Sequence, residues 1–276
     1  MVIDVATVSP SRFVQLLADE QRWRLLQELV RSDRKVSELT ELVGRPQNLV
    51  SYHLASLRNA GIVSARRSSA DRRDTYYRIE MRRCADLLCG VGSALQPGLR
   101  LDVVAPGTLD GRSPRRRPSV LFLCTGNSAR SQMAEALLEH HSGGTIRARS
   151  AGSHPKPLHP NAVRVMAESG IDISTRTTKH MDRFTQTRFD RVITLCDKVR
   201  EICPQFPGAA AVTAHWSMPD PASEDATDET SYPAFRRTAE ELESRIPFLI
   251  GELTLSTQRG ETSNESQRHR KCPLHG

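Results

Sequence analysis

Residues Val120-Leu-Phe-Leu-Cys124-Thr-Gly-Asn-Ser-Ala-Arg130-Ser131 constrain this chain more than any other stretch. An apolar run ends in a cysteine, Gly126-Asn127 breaks it, and Ser131-Gln-Met-Ala-Glu-Ala-Leu-Leu-Glu-His140 has helical spacing. The pattern predicts a buried strand, a tight loop and a helix start. Such a loop aims several backbone N–H groups, and the positive end of a helix dipole, at one point. A nest of this kind binds a tetrahedral oxyanion and stabilises a thiolate inside it. Cys124 is therefore read as a nucleophile. Thr125, Gly126, Asn127, Ser128 and Ala129 form the oxyanion loop, and Arg130 and Ser131 hold anion and thiolate. The Cys-to-Arg spacing alone is a poor motif in an Arg-rich chain with six cysteines. The strand before it and the helix after it supply the meaning.

At 276 residues the chain has room for two domains. No apolar run reaches the roughly 20 residues that span a bilayer. The N-terminus, Met1-Val-Ile-Asp-Val, has no basic region followed by an apolar core, so no signal peptide is expected. Six scattered cysteines do not make a secreted disulfide scaffold. These features point to a cytoplasmic protein with reactive thiols and no membrane partner. Charge divides the chain unevenly. Residues 1–117 carry 20 Lys+Arg against 13 Asp+Glu, a net of +7, whereas 118–276 carry 19 of each. That asymmetry suggests a nucleic-acid-binding part joined to a neutral part. Residues 93–117, rich in Pro, Gly and Arg, read as a flexible linker, and the polar residues 256–276 as a disordered tail.

In residues 1–92, helical periodicity runs from Ser11 to Val30, with Phe13, Leu16, Leu17, Trp23, Leu25, Leu26 and Leu29 on its apolar side. A short helix Val36–Val43, a Gly44-Arg-Pro46 turn and a helix Gln47–Asn59 make a helix-turn-helix. Val50, Leu54 and Leu57 share one face of the second helix; Gln47, Asn48, Ser51, Tyr52 and Arg58 lie largely off it and are candidate DNA contacts. His53 is read as a polar contact of that helix, to DNA or to its neighbours. Two β-rich runs, Ile62–Arg67 and Thr75–Ile79, flank a basic loop and form a wing, whose Arg66, Arg67, Arg72 and Arg73 are expected on phosphates or in a minor groove.

In residues 118–255, strands expected near Ile146–Ser150, Phe189–Cys196 and Ala211–Trp216 alternate with helices His159–Ser169 and Phe235–Leu253. This is an α/β pattern with a parallel sheet. Ligands then sit at the carboxyl ends of the strands, where Cys124, Cys196 and Ser217-Met-Pro-Asp220-Pro221-Ala222 fall. Asp220, held by the following proline, is a candidate general acid.

Two resemblances extend these readings. Leu17-Ala-Asp-Glu-Gln-Arg-Trp-Arg-Leu-Leu, Val36-Ser-Glu-Leu, Gln47–Val63 and Tyr76-Tyr-Arg-Ile resemble the arsenic-repressor (ArsR) winged helices. The resemblance implies a homodimer on a palindromic operator. Many members bind arsenite through cysteines near the reader helix, but Arg31-Ser-Asp-Arg-Lys-Val-Ser-Glu-Leu39 holds none. Cys84 and Cys89, five residues apart, could not chelate one ion within a helix and are read as packing residues, with an arsenite site across the dimer as the alternative. Cys124–Ser131, Ser150-Ala-Gly, Asp172-Ile-Ser and Trp216–Ala222 resemble the low-molecular-weight tyrosine phosphatase fold, and more closely the thiol-dependent arsenate reductases built on it. Ala222 stands where the phosphatases usually place a tyrosine, and Cys196 and Cys203 are thiols that a phosphatase does not need.

The reductase resemblance implies a relay. Cys124 attacks arsenate, Cys196 attacks the adduct, and Cys203 takes over the disulfide. Seven residues separate Cys196 from Cys203, about two helical turns or some 10.5 Å, so pairing them requires their helix to unwind. No bound cofactor is expected; electrons come from thioredoxin or a similar thiol system, and indirectly from NADPH. No metal is expected either. Some relatives hold a monovalent cation, and Asn127, Glu135 and Ser150 would suit one, but Lys179 stands where those relatives have an acid. The whole reads as an arsenate reductase fused to a regulator of arsenic resistance, with catalytic state expected to alter DNA binding. The alternatives are a tyrosine phosphatase, a non-catalytic oxyanion or redox sensor, and a reductase coupled to a small thiol. Phosphate is the other oxyanion the nest would accept.

Overall fold

The computed structural model describes residues 8–96, 98–99, 117–202, 212–222 and 227–269, the side chains of 201–202 and 257–269 excepted. Most of the linker expected over 93–117, Cys203 and the last seven residues lie outside the described residues. Among the described residues, no helix is long and apolar enough to cross a membrane.

The N-terminal half holds α1 (Pro10–Leu17), α2 (Glu20–Arg31), β1 (Arg34–Lys35), α3 (Val36–Val43), α4 (Gln47–Asn59), β2 (Val63–Arg67), β3 (Thr75–Ile79) and α5 (Met81–Leu95). The single helical run expected over Ser11–Val30 is two helices. Asp19 breaks it, because its carboxylate accepts from the Arg22 backbone N–H at 2.9 Å and starts α2 afresh. The break also rotates Trp23 off the apolar face, leaving it 46% exposed. Helices α3 and α4 have the expected bounds, joined through Gly44 at φ +63°. Leu54 and Leu57 of α4 pack fully buried against Phe13, Leu25, Leu29 and Leu39. Antiparallel pairing of β2 with β3, and of β3 with the short β1, forms the wing. Cys84 and Cys89 lie half-buried on α5. Cys84 packs against the core, where burial pushes its thiol up to about 12.

The C-terminal half holds β4 (Ser119–Cys124), α6 (Arg130–His141), β5 (Arg147–Gly152), α7 (Pro160–Glu168), β6 (Arg191–Thr194), α8 (Asp197–Ile202), β7 (Val212–His215) and α9 (Asp228–His269). The sheet is parallel throughout, in the order β5-β4-β6-β7. Its central strand β4 is buried along its whole length, which is why Ser119–Cys124 is almost continuously apolar. Helices α6, α7 and α9 pack on one another, with Phe235, Leu242 and Ile246 of α9 in the core. The backbone of α9 runs on to His269, so helix occupies much of the segment read as a disordered tail. Once its packed turns exist, each added residue forms one further hydrogen bond without a new nucleation cost.

The two halves share a polar seam. Asp33, buried between them, accepts two hydrogen bonds from Arg245, both at 3.0 Å, and one from the Ser217 backbone N–H at 2.7 Å. The Asp33 N–H donates to the His215 carbonyl, 2.8 Å away. Arg78 of β3 pairs with Glu241 of α9, and Arg200 of α8 pairs with Glu38 of α3. Nothing in the periodicity of either half announces this seam.

Candidate active site

Strand β4 delivers Cys124 to the carboxyl edge of the sheet, and the next five residues turn back into α6. The turn depends on Asn127, the one described non-glycine residue at positive φ, +48°. Its backbone N–H donates to Cys124 Sγ at 3.2 Å. Its side-chain amide donates to Ser131 Oγ and Ser150 Oγ, both at 2.9 Å. Ser131 Oγ lies 2.9 Å from Cys124 Sγ. With the Asn127 amide already donating to that oxygen, the Ser131 hydroxyl proton is free to point at sulfur. Asn127 Oδ1 accepts from Gln132 Nε2 and from the Lys179 N–H. Two side chains and one strained backbone thus fix the sulfur before any anion arrives.

Gly152 at the end of β5 lies directly behind the loop. A Cβ there would sit 2.5 Å from the Thr125 carbonyl oxygen and 2.8 Å from Asn127 N. Gly152→Ala is expected to displace the loop. Protection of Cys124 from iodoacetate by phosphate should weaken about tenfold. Unchanged protection would show that the loop does not need this close approach.

Arg130 is buried at the first turn of α6. Its Nη2 lies 3.0 Å from Asp220 Oδ2, and its Nη1 donates to the Met218 carbonyl. Burial alone would lower its pKa. The charge of Asp220, with those of Cys196, Cys124 and Asp197, raises it instead. Asp220 is 56% exposed at its side chain, so it faces both the nest and water. The structure therefore brings together Cys124, the Thr125–Ala129 loop, Arg130, Ser131 and Asp220, as the sequence suggests.

Cys196 follows β6 and is buried at 2% exposure, with Sγ 3.1 Å from Thr125 Oγ1 in the nest. Helix α8 begins at the next residue, in agreement with the short helix expected between Cys196 and Cys203. Glu135, behind the loop, accepts from the Ser150 hydroxyl and lies 3.4 Å from Lys179 Nζ and 3.6 Å from Arg176 Nη1. Two cationic side chains thus stand at the carboxylate that the sequence offers to a monovalent ion.

The N-terminal candidates divide. Gln47, Asn48, Ser51, Tyr52 and Arg58 of α4 are exposed, as are Arg67, Arg72 and Arg73 of the wing. Arg66 departs from expectation, and His53 faces a neighbour rather than the exposed side of α4. His53 points inward, buried, with Nδ1 3.7 Å from Asp19 Oδ1, because it lies on the α4 face that packs toward the core. Arg66 turns to the C-terminal half, where it meets Asp197 and Ser217. A buried carboxylate without that partner would be costly.

The site's most densely bonded carboxylate is one that sequence reasoning missed. Asp197, fully buried, accepts through Oδ1 from Ser217 Oγ at 2.7 Å and His215 Nε2 at 3.0 Å. Its Oδ2 accepts from Ser69 N, Ser69 Oγ and Arg66 Nη2 at 2.7, 2.9 and 2.7 Å. Burial alone would raise its carboxyl. The hydrogen bond from His215, the Ser69 N–H, the Arg66 charge and the Ser217 hydroxyl together hold it far below the usual carboxylate range. Burial also lowers the His215 imidazole, with Asp197 opposing. The ring faces Asp197 through Nε2, and its Nδ1 lies 2.8 Å from the Thr194 hydroxyl and 3.0 Å from the Thr194 carbonyl. An aspartate next to a suspected relay cysteine was the only available signal.

Each half of the chain is similar to known proteins. Residues 19–65 match the family of bacterial regulatory proteins described as arsR. Residues 119–259 match the low molecular weight phosphotyrosine protein phosphatases. An arsenate reductase of Halalkalibacterium halodurans is 41% identical over 127 residues, 46% of this chain and 91% of that protein. One from Bacillus subtilis is 39% identical over 127 residues, with the same coverage. Among solved structures, a Corynebacterium glutamicum thioredoxin-dependent arsenate reductase is 31% identical, covers 50% of this chain and 62% of its own, and has a TM-score of 0.38. The phosphatase match spans 119–259 of 276 residues, more than half, and contains Cys124, Arg130 and Asp220. The chain belongs to the low molecular weight phosphotyrosine protein phosphatase family.

Proposed function

We propose that the chain is an arsenate reductase that carries its own DNA-binding regulator of arsenic resistance. The observation that carries the reading is Cys196 Sγ standing 3.1 Å from Thr125 Oγ1. A phosphatase needs one thiol at its nest; a second thiol touching that loop serves reduction. The relatives named arsenate reductase, 41% and 39% identical over this half, support it.

Arsenate enters the loop and is held by backbone N–H groups and by both arms of Arg130, with Asp220 swinging from the guanidinium to the leaving oxygen. Cys124 thiolate forms a sulfur–arsenic bond. One arsenic–oxygen bond breaks, Asp220 supplies the proton, and water departs, with arsenic still pentavalent. Cys196, as thiolate, then attacks Cys124 Sγ. The sulfur–sulfur bond forms, and the sulfur–arsenic bond breaks with its electron pair left on arsenic. Arsenite, now trivalent, leaves. Cys203 attacks Cys196, the disulfide moves to Cys196–Cys203, and Cys124 returns as thiolate. A thioredoxin-like dithiol supplies the two electrons that reset the enzyme. The exposed face of α4, with Arg67, Arg72 and Arg73, reads operator DNA as a homodimer on a palindrome.

The test is NADPH oxidation by the purified chain with thioredoxin and thioredoxin reductase, with and without arsenate. Arsenate-dependent turnover, lost in Cys196→Ser and Cys203→Ser, is the expected result. Turnover of an aryl phosphate with Cys196→Ser fully active, and no arsenate-dependent oxidation, would replace this reading with a phosphatase.

A further inference from the structure

We propose that the wing of the DNA-binding half is a positioning element for the relay thiol, with Arg66 and Ser69 holding Asp197 so that Cys196 stays docked on the Cys124 loop. The inference rests on the relay reading for its purpose, though not for its geometry. Asp197 follows Cys196 directly and opens α8. Of its five hydrogen-bond donors, three come from the wing: Ser69 N, Ser69 Oγ and Arg66 Nη2. The other two, His215 Nε2 at the end of β7 and Ser217 Oγ just after it, lie in the seam with the N-terminal half. Ser217 itself receives Arg66, and the Ser217 N–H is tied to Asp33. Further along α8, Arg200 donates to the Asp33 carbonyl at 3.0 Å and pairs with Glu38. The helix is thus held to the N-terminal half at both its first and fourth residues.

This matters because the Cys196 segment has two incompatible tasks. Its sulfur must first reach Cys124, then leave to meet Cys203. A thiol must be delivered within bonding reach of its target, and misplacement by 1 Å can cost about 100-fold. The C-terminal half supplies only two of the hydrogen bonds that fix the residue beside that thiol. The wing supplies the rest, so the docked state of Cys196 is a property of both halves together. By linkage, a wing that holds Cys196 in the reduced state is held by it in return.

The test uses the full reduced chain and follows each cysteine by mass spectrometry during iodoacetamide alkylation. In Arg66→Ala with Ser69→Ala, Cys196 should react about tenfold faster, since its 2% exposure depends on the docked segment. Cys124 should react at its original rate, which separates local release from general unfolding. Arg66→Lys, which keeps the charge, should restore part of the protection. In the coupled assay the double variant should lose about tenfold in kcat with the arsenate KM within twofold, because arsenate binds the nest and not α8. Unchanged Cys196 alkylation, or loss of protection at Cys124 and Cys196 alike, would overturn the proposal. If the unaltered chain shows no arsenate turnover, the reductase reading fails, while the alkylation pattern still decides whether the wing positions Cys196.

Discussion

Cys124→Ser should remove arsenate-dependent NADPH oxidation, a fall of at least about 10⁴-fold, with little change in stability. The sulfur is the atom that bonds arsenic, then accepts Cys196 into a disulfide, so serine can perform neither step. Its oxygen can keep the partners around Sγ, since Asn127 N and Ser131 Oγ lie 3.2 and 2.9 Å from the sulfur. The Tm should therefore move by less than about 2 °C. Phosphate should still bind the loop N–H groups and Arg130, giving a protein that holds the anion and does no chemistry. Isothermal calorimetry with phosphate, beside the coupled assay, checks both halves of the expectation. Residual turnover above a hundredth of the original would mean that the nucleophile lies elsewhere.

The second large effect is on stability. Asp197→Ala should lower the free energy of unfolding by about 3 kcal/mol, because it strands His215, Ser217 and Arg66 around a buried void. Asp197→Asn should cost less, since an amide oxygen still accepts while the charge is lost. The pH dependence has a definite sign. Asp197 is held below its ordinary pKa, so its contribution is full above about pH 4 and is lost as pH falls further. His215 is also lowered, so the unfolded chain takes up a proton below about pH 6.5 that the folded chain refuses. Both groups destabilise on acidification, His215 first. Urea midpoints should fall between pH 7.5 and 4 in both proteins, from His215, and between pH 4 and about 2.5 should fall more steeply in the original chain than in Asp197→Ala. Equal slopes in that lower range would contradict the assignment.

Local elements were legible because their causes are local. Strand β4 is buried on both faces and so is apolar at every position from Val120 to Leu123. The bounds of α3 and α4 follow from the Gly44 turn and from the periodicity of Val50, Leu54 and Leu57. The break at Asp19 is hidden in the sequence because the apolar spacing continues across it, and only the cap bond to Arg22 restarts the helix. Arg66 looks like a DNA contact in the sequence for a similar reason. A basic wing looks the same whether its arginines face phosphate or a buried carboxylate 131 residues away.

The nest is encoded in consecutive residues. Cys124, the loop, Arg130 and Ser131 lie within eight consecutive residues, and chain geometry forces them to converge. Local sequence also encodes the reader helix and the general position of Asp220. Long-range packing seats Cys196 on Thr125 and gathers five hydrogen bonds at Asp197, three of them from the wing. Those contacts join residues that share no periodicity and no common element. A polar seam between two domains leaves no apolar stripe to read, so its partners become visible only when the two surfaces meet.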